Sequence, residues 1–162
     1  DIIYNTAYIE SAIDDPEHYN LEGFDAKLKK KSEEIIKEIA EHGVNGFVYN
    51  IDTLRTAKGV AVLSFVKGKS GTYDKEYITS KGNSWEVFDA GIACQTFCLA
   101  AHAKGVGTCI MGVIDDKSIA KIVNLPEDET VAALIVYGYE DGEHAAPNKR
   151  KDVDEIMRFV DR

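Results

Sequence analysis

Of the 162 residues only three are proline, three cysteine, two methionine and one tryptophan. Positive charge is also scarce: 19 Lys and Arg stand against 28 Asp and Glu, for a net charge of −9. That shortage speaks against nucleic acid as the main partner, because phosphate backbones are held by basic surfaces. It speaks equally against a polybasic contact with a membrane. No apolar run reaches the roughly 20 residues needed to cross a bilayer, and nothing near Asp1 has the layout of a signal peptide. The chain starts without Met, so a trimmed or partial product is expected, and a lost targeting segment stays open. The cysteines, Cys94, Cys98 and Cys109, are odd in number and sit in apolar sequence. Reduced, buried thiols in a cytoplasmic protein are expected from that. Cys94 and Cys98 lie one helical turn apart, but no His or carboxylate is placed to complete a metal site with them.

The common catalytic signatures are missing too. His18, His42, His102 and His144 are scattered, and no HExxH, CxxC or GxSxG occurs. Gly68-Lys69-Ser70 lacks the first glycine of a phosphate loop and no apolar helix follows directly. Gly105-Val106-Gly107 lacks the third glycine of a dinucleotide fingerprint and follows a helix rather than a strand. No catalytic side chain and no metal ligand is therefore assigned.

What is present centres on Trp85 to Gly112. From Ala90 to Ala103 only His102 can carry charge, and apolar or small side chains fall at almost every helical angle. A helix that is apolar nearly all round must be covered on nearly all sides. It is thus a central core helix or one shared between subunits. Asn83 and Glu86 have capping-box spacing. Lys104 and Gly105 suit a helix end. Glycines at 105, 107 and 112 would let a ligand come close to the main chain.

Elsewhere, residues 1–24 show no period, although Asp14-Asp15-Pro16-Glu17 could open a helix. Residues 25–42 read as an amphipathic helix capped by Asp25 and stopped by Gly43. Leu28, Ile35, Ile36 and Ile39 share one face, and the KLKKK run reads as a solvated one. After a loop around Asn45–Asn50, residues 59–67 and 130–138 read as buried strands. Residues 67–82 are polar and read as a loop. Asp115 or Asp116 opens a short helix ending at Asn124. A last helix is expected over Asp152 to Val160, with Val153, Ile156, Met157 and Val160 on one face. The layout is α+β: one domain over 1–162, with a small, mostly antiparallel sheet covered by helices.

The order of these features carries more than any one of them. Asp89, Gly91, Gln95, Leu99, Ala100, Ala101, Gly105, Gly107 and Thr108 form the pattern D-x-G-x-x-x-Q-x-x-x-L-A-A-x-x-x-G-x-G-T. Leu125-Pro126, Gly138-Tyr139 and Arg150-Lys151 follow. In this the chain resembles the FMN-dependent nitroreductase family. The resemblance implies a homodimer with FMN at the subunit interface and the central helix packed on its twin. It implies that Cys109, Ile110, Met111 and Gly112 lie against the flavin ring, and that Lys149 and Arg150 hold its phosphate. It implies NAD(P)H as reductant and a nitroaromatic, quinone or similar small molecule as electron acceptor. The alternative is a flavin-binding or degenerate member without useful turnover. The family's R-R-S-x-R and P-S-x-x-N-x-Q-P-W motifs do not occur here. They are expected to precede Asp1, or this member is built differently.

Overall fold

The computed structural model describes residues 24–44, 48–140, 142 and 149–160. The irregular stretch before Phe24, with its candidate helix start at Pro16, lies outside these residues.

Helix α1 runs Phe24–Glu38 and passes into a π turn, Ile39–Gly43. Ile36 and Ile39 are buried as expected, whereas Asp25 lies within the helix and not at its cap. The side chain of Leu28 is outside the described set. The π turn brings Gly43 against Ile119, where a Cβ would stand 2.7 Å from Ile119 Cγ1. Only glycine allows that approach. The segment expected to be a loop through Asn50 is instead helical from Val48, and α2 spans Val48–Thr56. Leu54, fully buried, anchors it in the core.

The main sheet has three antiparallel strands in the order β1-β5-β4: β1 Gly59–Val66, β5 Glu129–Gly138 and β4 Gly107–Met111. In β5 Val131, Ala133, Leu134, Ile135 and Val136 are buried and the other five residues half-buried, so the expectation of a fully buried strand holds for its middle alone. In β1 every residue after Gly59 is only half-buried, so that expectation is corrected. The β1–β5 register shifts between Leu63 and Ser64, whose partners are Ala133 and Val131, leaving Ala132 as a bulge. One sheet face meets Ile39, Val44, Leu54 and Ile119 through Val131, Leu134 and Val136. The other is covered by the central helix.

That helix, α3, spans Ser84–His102. It buries one stripe, Glu86, Ala90 and Cys94, against the sheet. Phe97 adds a ring contact to Tyr137 of β5, centroids 6.0 Å apart. The expected capping box is absent: Asn83 makes no side-chain cap bond. Its end is as expected. Gly105 has φ +70°, its N–H donates to His102 O, and Val106 N–H donates to Ala101 O, the two bonds of a Schellman motif.

Residues 67–82, expected to be a loop, contain a hairpin of β2 Thr72–Tyr73 and β3 Glu76–Tyr77. Its two-residue turn has positive φ at Asp74 and Lys75, as a type I′ turn requires. Helix α4, Asp116–Ile122, is capped by Asp115, whose carboxylate accepts from Ser118 N–H at 3.0 Å and Ser118 Oγ at 2.8 Å. These bonds hold the Asp115 carboxyl below its ordinary value. The last helix, α5, is Val153–Ile156 only, with a capping box from Asp152 and Glu155. Met157 is extended, and Ile156, Phe159 and Val160 are exposed. The expected apolar face therefore packs on nothing among the described residues, and the helix is not sustained to Val160.

Candidate functional site

The four residues of the expected ring-facing segment are brought together on one sheet edge. Cys109, Ile110 and Met111 end strand β4, and Gly112 leaves it. Neighbours on a strand point to opposite faces, yet Cys109 and Ile110 are both exposed, Ile110 by 52%. Strand β4 pairs with β5 alone among the described residues, so its outer edge is open there. Met111 differs: its side chain is 3% exposed and belongs to the core with Leu134, its partner in register. Its side chain is thus packing, and only its main chain can meet a ligand.

Gly112 is exposed, and a Cβ built on it would find no heavy atom within 4 Å. The chain beyond it is tied down. Asn50 Nδ2 donates to Val113 O at 3.1 Å, and Asp115 N–H donates to Gly43 O at 2.7 Å. The result is an open stretch of main chain between two fixed points, on the end of a rigid strand. Helix α2, not legible in the sequence, supplies Asn50 and also lines a cleft of about 250 Å³ beside Thr108, Cys109 and Tyr139. Thr53 and Thr56 are its contributions there.

Lys149 and Arg150 lie in the stretch of chain before α5. Both are exposed, and neither has a hydrogen bond or ion pair among the described residues. The neighbouring acids Asp152 and Glu155 are engaged with each other's main chain in the α5 cap. The two cations are therefore available to an anion.

The outer surface of α3 is the second open feature. Val87, Phe88, Ile92 and Leu99 are exposed by 53% to 60%. At Gly91 there is room for a Cβ. The sequence called for cover on nearly all sides; in the described structure Glu86, Ala90 and Cys94 are buried and Trp85, Cys98 and Ala101 half-buried.

The cysteines divide. Cys94 is buried, Cys98 half-buried and Cys109 exposed, so the expectation of buried thiols fails for Cys109. Burial, then the neighbouring Cys98, pushes the Cys94 thiol up, which keeps it from acting as a thiolate. In the Gly68-Lys69-Ser70 turn, Gly68 N–H is taken by the Glu86 carboxylate and Ser70 Oγ by Asp89. Those two donors face carboxylates, not a phosphate. Among the described residues no helix is long and apolar enough to cross a membrane.

Residues 9–139 match the model of the Nitroreductase family. A nitroreductase family protein from Clostridium novyi NT superposes with a TM-score of 0.57 at 22% identity, covering 76% of this chain and 62% of that one. The FMN-dependent nitroreductase of Clostridium difficile R20291 gives a TM-score of 0.55 at 24% identity, covering 78% of this chain and 69% of that one. At these identities the likeness is one of fold, and it agrees with the α+β layout read from the sequence. A short stretch of 40 residues is 58% identical to the tRNA modification GTPase MnmE of Lachnoclostridium phytofermentans, covering 25% of this chain and 9% of that protein. The chain thus spans less than two thirds of the C. novyi protein and a small fraction of the GTPase.

Proposed function

The chain belongs to the nitroreductase family, and on that premise we propose that it is an FMN-dependent oxidoreductase working as a homodimer. The observation that carries this reading is Gly112: main chain held open at the end of β4, with no side chain to keep a flat ring away. Cys109 to Gly112 would hold the ring there through main-chain donors. Preorganised N–H groups aimed where negative charge develops stabilise it without reorganisation. Lys149 and Arg150, exposed and unpaired among the described residues, fit a phosphate. The flavin, when bound, supplies the redox chemistry, taking a hydride from NAD(P)H and passing electrons to a nitroaromatic, quinone or similar acceptor. The protein's part is to bind, orient and exclude water, so no acid–base side chain is required of it.

The exposed apolar surface of α3 supports the dimer. Monomers rarely leave contiguous apolar patches of this kind in water, and a second copy of the same helix would cover it. A purified protein that is yellow, and that oxidises NADH or NADPH only when nitrofurazone or menadione is added, is the expected result. A colourless protein that takes up no added FMN would overturn the proposal. A yellow protein without turnover would leave only its flavin-binding half.

A further inference from the structure

A second concave surface lies outside all of these residues. Helix α1 and the π turn form one wall, and the end of α2 with the start of β1 forms the other, around about 880 Å³. That volume is within the range of small-molecule sites. The floor is apolar: Ile36 and Ala40 are 9% and 4% exposed, and Ala57 is half-buried beside them. The rim is charged. Lys29, Glu33, Lys37 and Glu41 stand along α1 and the π turn, and Arg55 and Lys58 face them.

The sign of this rim is against the trend of the chain. Four cations and two acids leave two positive charges in surplus, on a protein of net charge −9. Part of that charge is used locally: Lys37 pairs with Glu41 at 4.0 Å, and Arg55 with Asp52 at 4.0 Å. Lys29 and Lys58 have no ion pair among the described residues. Lys58 is also held in place, since its N–H donates to Tyr137 O at 3.0 Å. Its stem runs close over Gly138, where a Cβ would come within 3.6 Å of Lys58 Cγ. The lysines of the KLKKK run are exposed, as expected, and Lys29 is also part of this rim.

We propose that this groove binds a small organic phosphate, its apolar body on the Ile36–Ala40–Ala57 floor and its phosphate at the Lys29–Lys58 rim. A phosphate monoester carries about −1.5 to −2 charges at neutral pH, opposite in sign to Lys29 and Lys58, the two rim cations without an ion pair among the described residues. A single carboxylate would compete poorly with Glu33 and Glu41, already in place. The apolar floor explains why inorganic phosphate alone is the poorer ligand, and the rim why a neutral ring is.

Isothermal titration with 1-naphthyl phosphate, 1-naphthol and inorganic phosphate tests this, using the whole protein saturated with FMN. The ester binds, and each of its parts binds about 10-fold more weakly or worse. Loss of charge-assisted bonds in Lys29→Glu/Lys58→Glu lowers ester affinity about 10-fold or more, while FMN titrates as in the parent. Should that double variant fold poorly, Lys29→Gln and Lys58→Gln singly each weaken the ester. Naphthol binding as tightly as the ester, or a well-folded double variant binding it as the parent does, overturns the proposal. Loss of FMN binding with ester binding retained counts against the flavin site alone.

Discussion

The Tyr77 hydroxyl donates to Glu86 Oε1 at 2.9 Å, and the Gly68 N–H reaches the same oxygen at 2.6 Å. This buried carboxylate clasps the β2–β3 hairpin to the first turn of α3 and is thereby taken away from the helix cap. Glu86→Ala would leave two donors without this acceptor, and because Gly68 and Tyr77 are exposed, water replaces part of what is lost. A urea midpoint lowered accordingly is expected; Glu86→Gln, which keeps an acceptor oxygen, loses less.

The same bond raises the Tyr77 phenol above its ordinary value of 10.0, the Glu86 hydrogen bond being the largest cause. A group with a raised folded value stabilises the protein while protonated in both states. That contribution is present below about pH 10 and fades as the pH climbs through the folded value. In Tyr77→Phe the alkaline loss of stability should shrink. Identical pH–stability curves for parent and variant above pH 9 would show that the clasp does not hold in solution.

Much of the fold was legible because its signals are local. Gly105 ends α3, Asp115 caps α4, and the apolar runs around Val62 and Leu134 are strands. What was not legible depends on distant partners. Helix α2 has a weak pattern and is held through buried Leu54 and through Ile51, packed against the core. The hairpin turn uses Asp74-Lys75 where Asn-Gly would have announced it. Helix α5 stops at Ile156, and Met157 to Val160 beyond it are exposed. Of the candidate site, Cys109–Gly112 was assigned only through the family resemblance, the glycines at 105, 107 and 112 having indicated no more than close approach to the main chain, and the inward turn of Met111 was not legible. Which face a strand residue takes is decided by its partner, here Leu134.

The α3 surface yields a test of the dimer. Ala93 is exposed in the single chain, so Ala93→Glu should leave the folded protomer intact. Across a helix pair it would put a charge in an apolar contact, at a cost of several kcal/mol if left unpaired. Light scattering should find a dimer for the parent and monomer or aggregate for the variant. An unshifted dimer, or a parent that is already monomeric, would remove α3 from any subunit contact.

Gly112→Val separates fold from cofactor. The added side chain meets nothing within the chain, so the thermal midpoint should move by no more than the ordinary scatter of surface changes, about 0.5 kcal/mol. A branched side chain where a ring must approach should nonetheless weaken FMN binding or slow its reduction several-fold. Flavin affinity and hydride-transfer rate both equal to the parent's would take this segment out of the site.

On the proposed reading, Arg150 and Lys149 hold the phosphate of FMN. The protein carries −9 and a phosphate monoester about −2, so the long-range field opposes binding and a local cation cluster must reverse it. Lys149 and Arg150 are exposed and unpaired among the described residues. Arg can grip a phosphate with two parallel hydrogen bonds, whereas Lys offers a point charge. A charge-assisted hydrogen bond contributes about 1.5–3 kcal/mol, so Arg150→Ala should loosen FMN about 10-fold or more. Lys149→Ala should cost less. Both effects should shrink in high salt, because exposed charges are screened within about 8 Å at physiological ionic strength. Titration of FMN into apo-protein, followed by quenching of its fluorescence, measures all three. If both variants bind FMN as tightly as the parent at low salt, these two cations do not hold the phosphate.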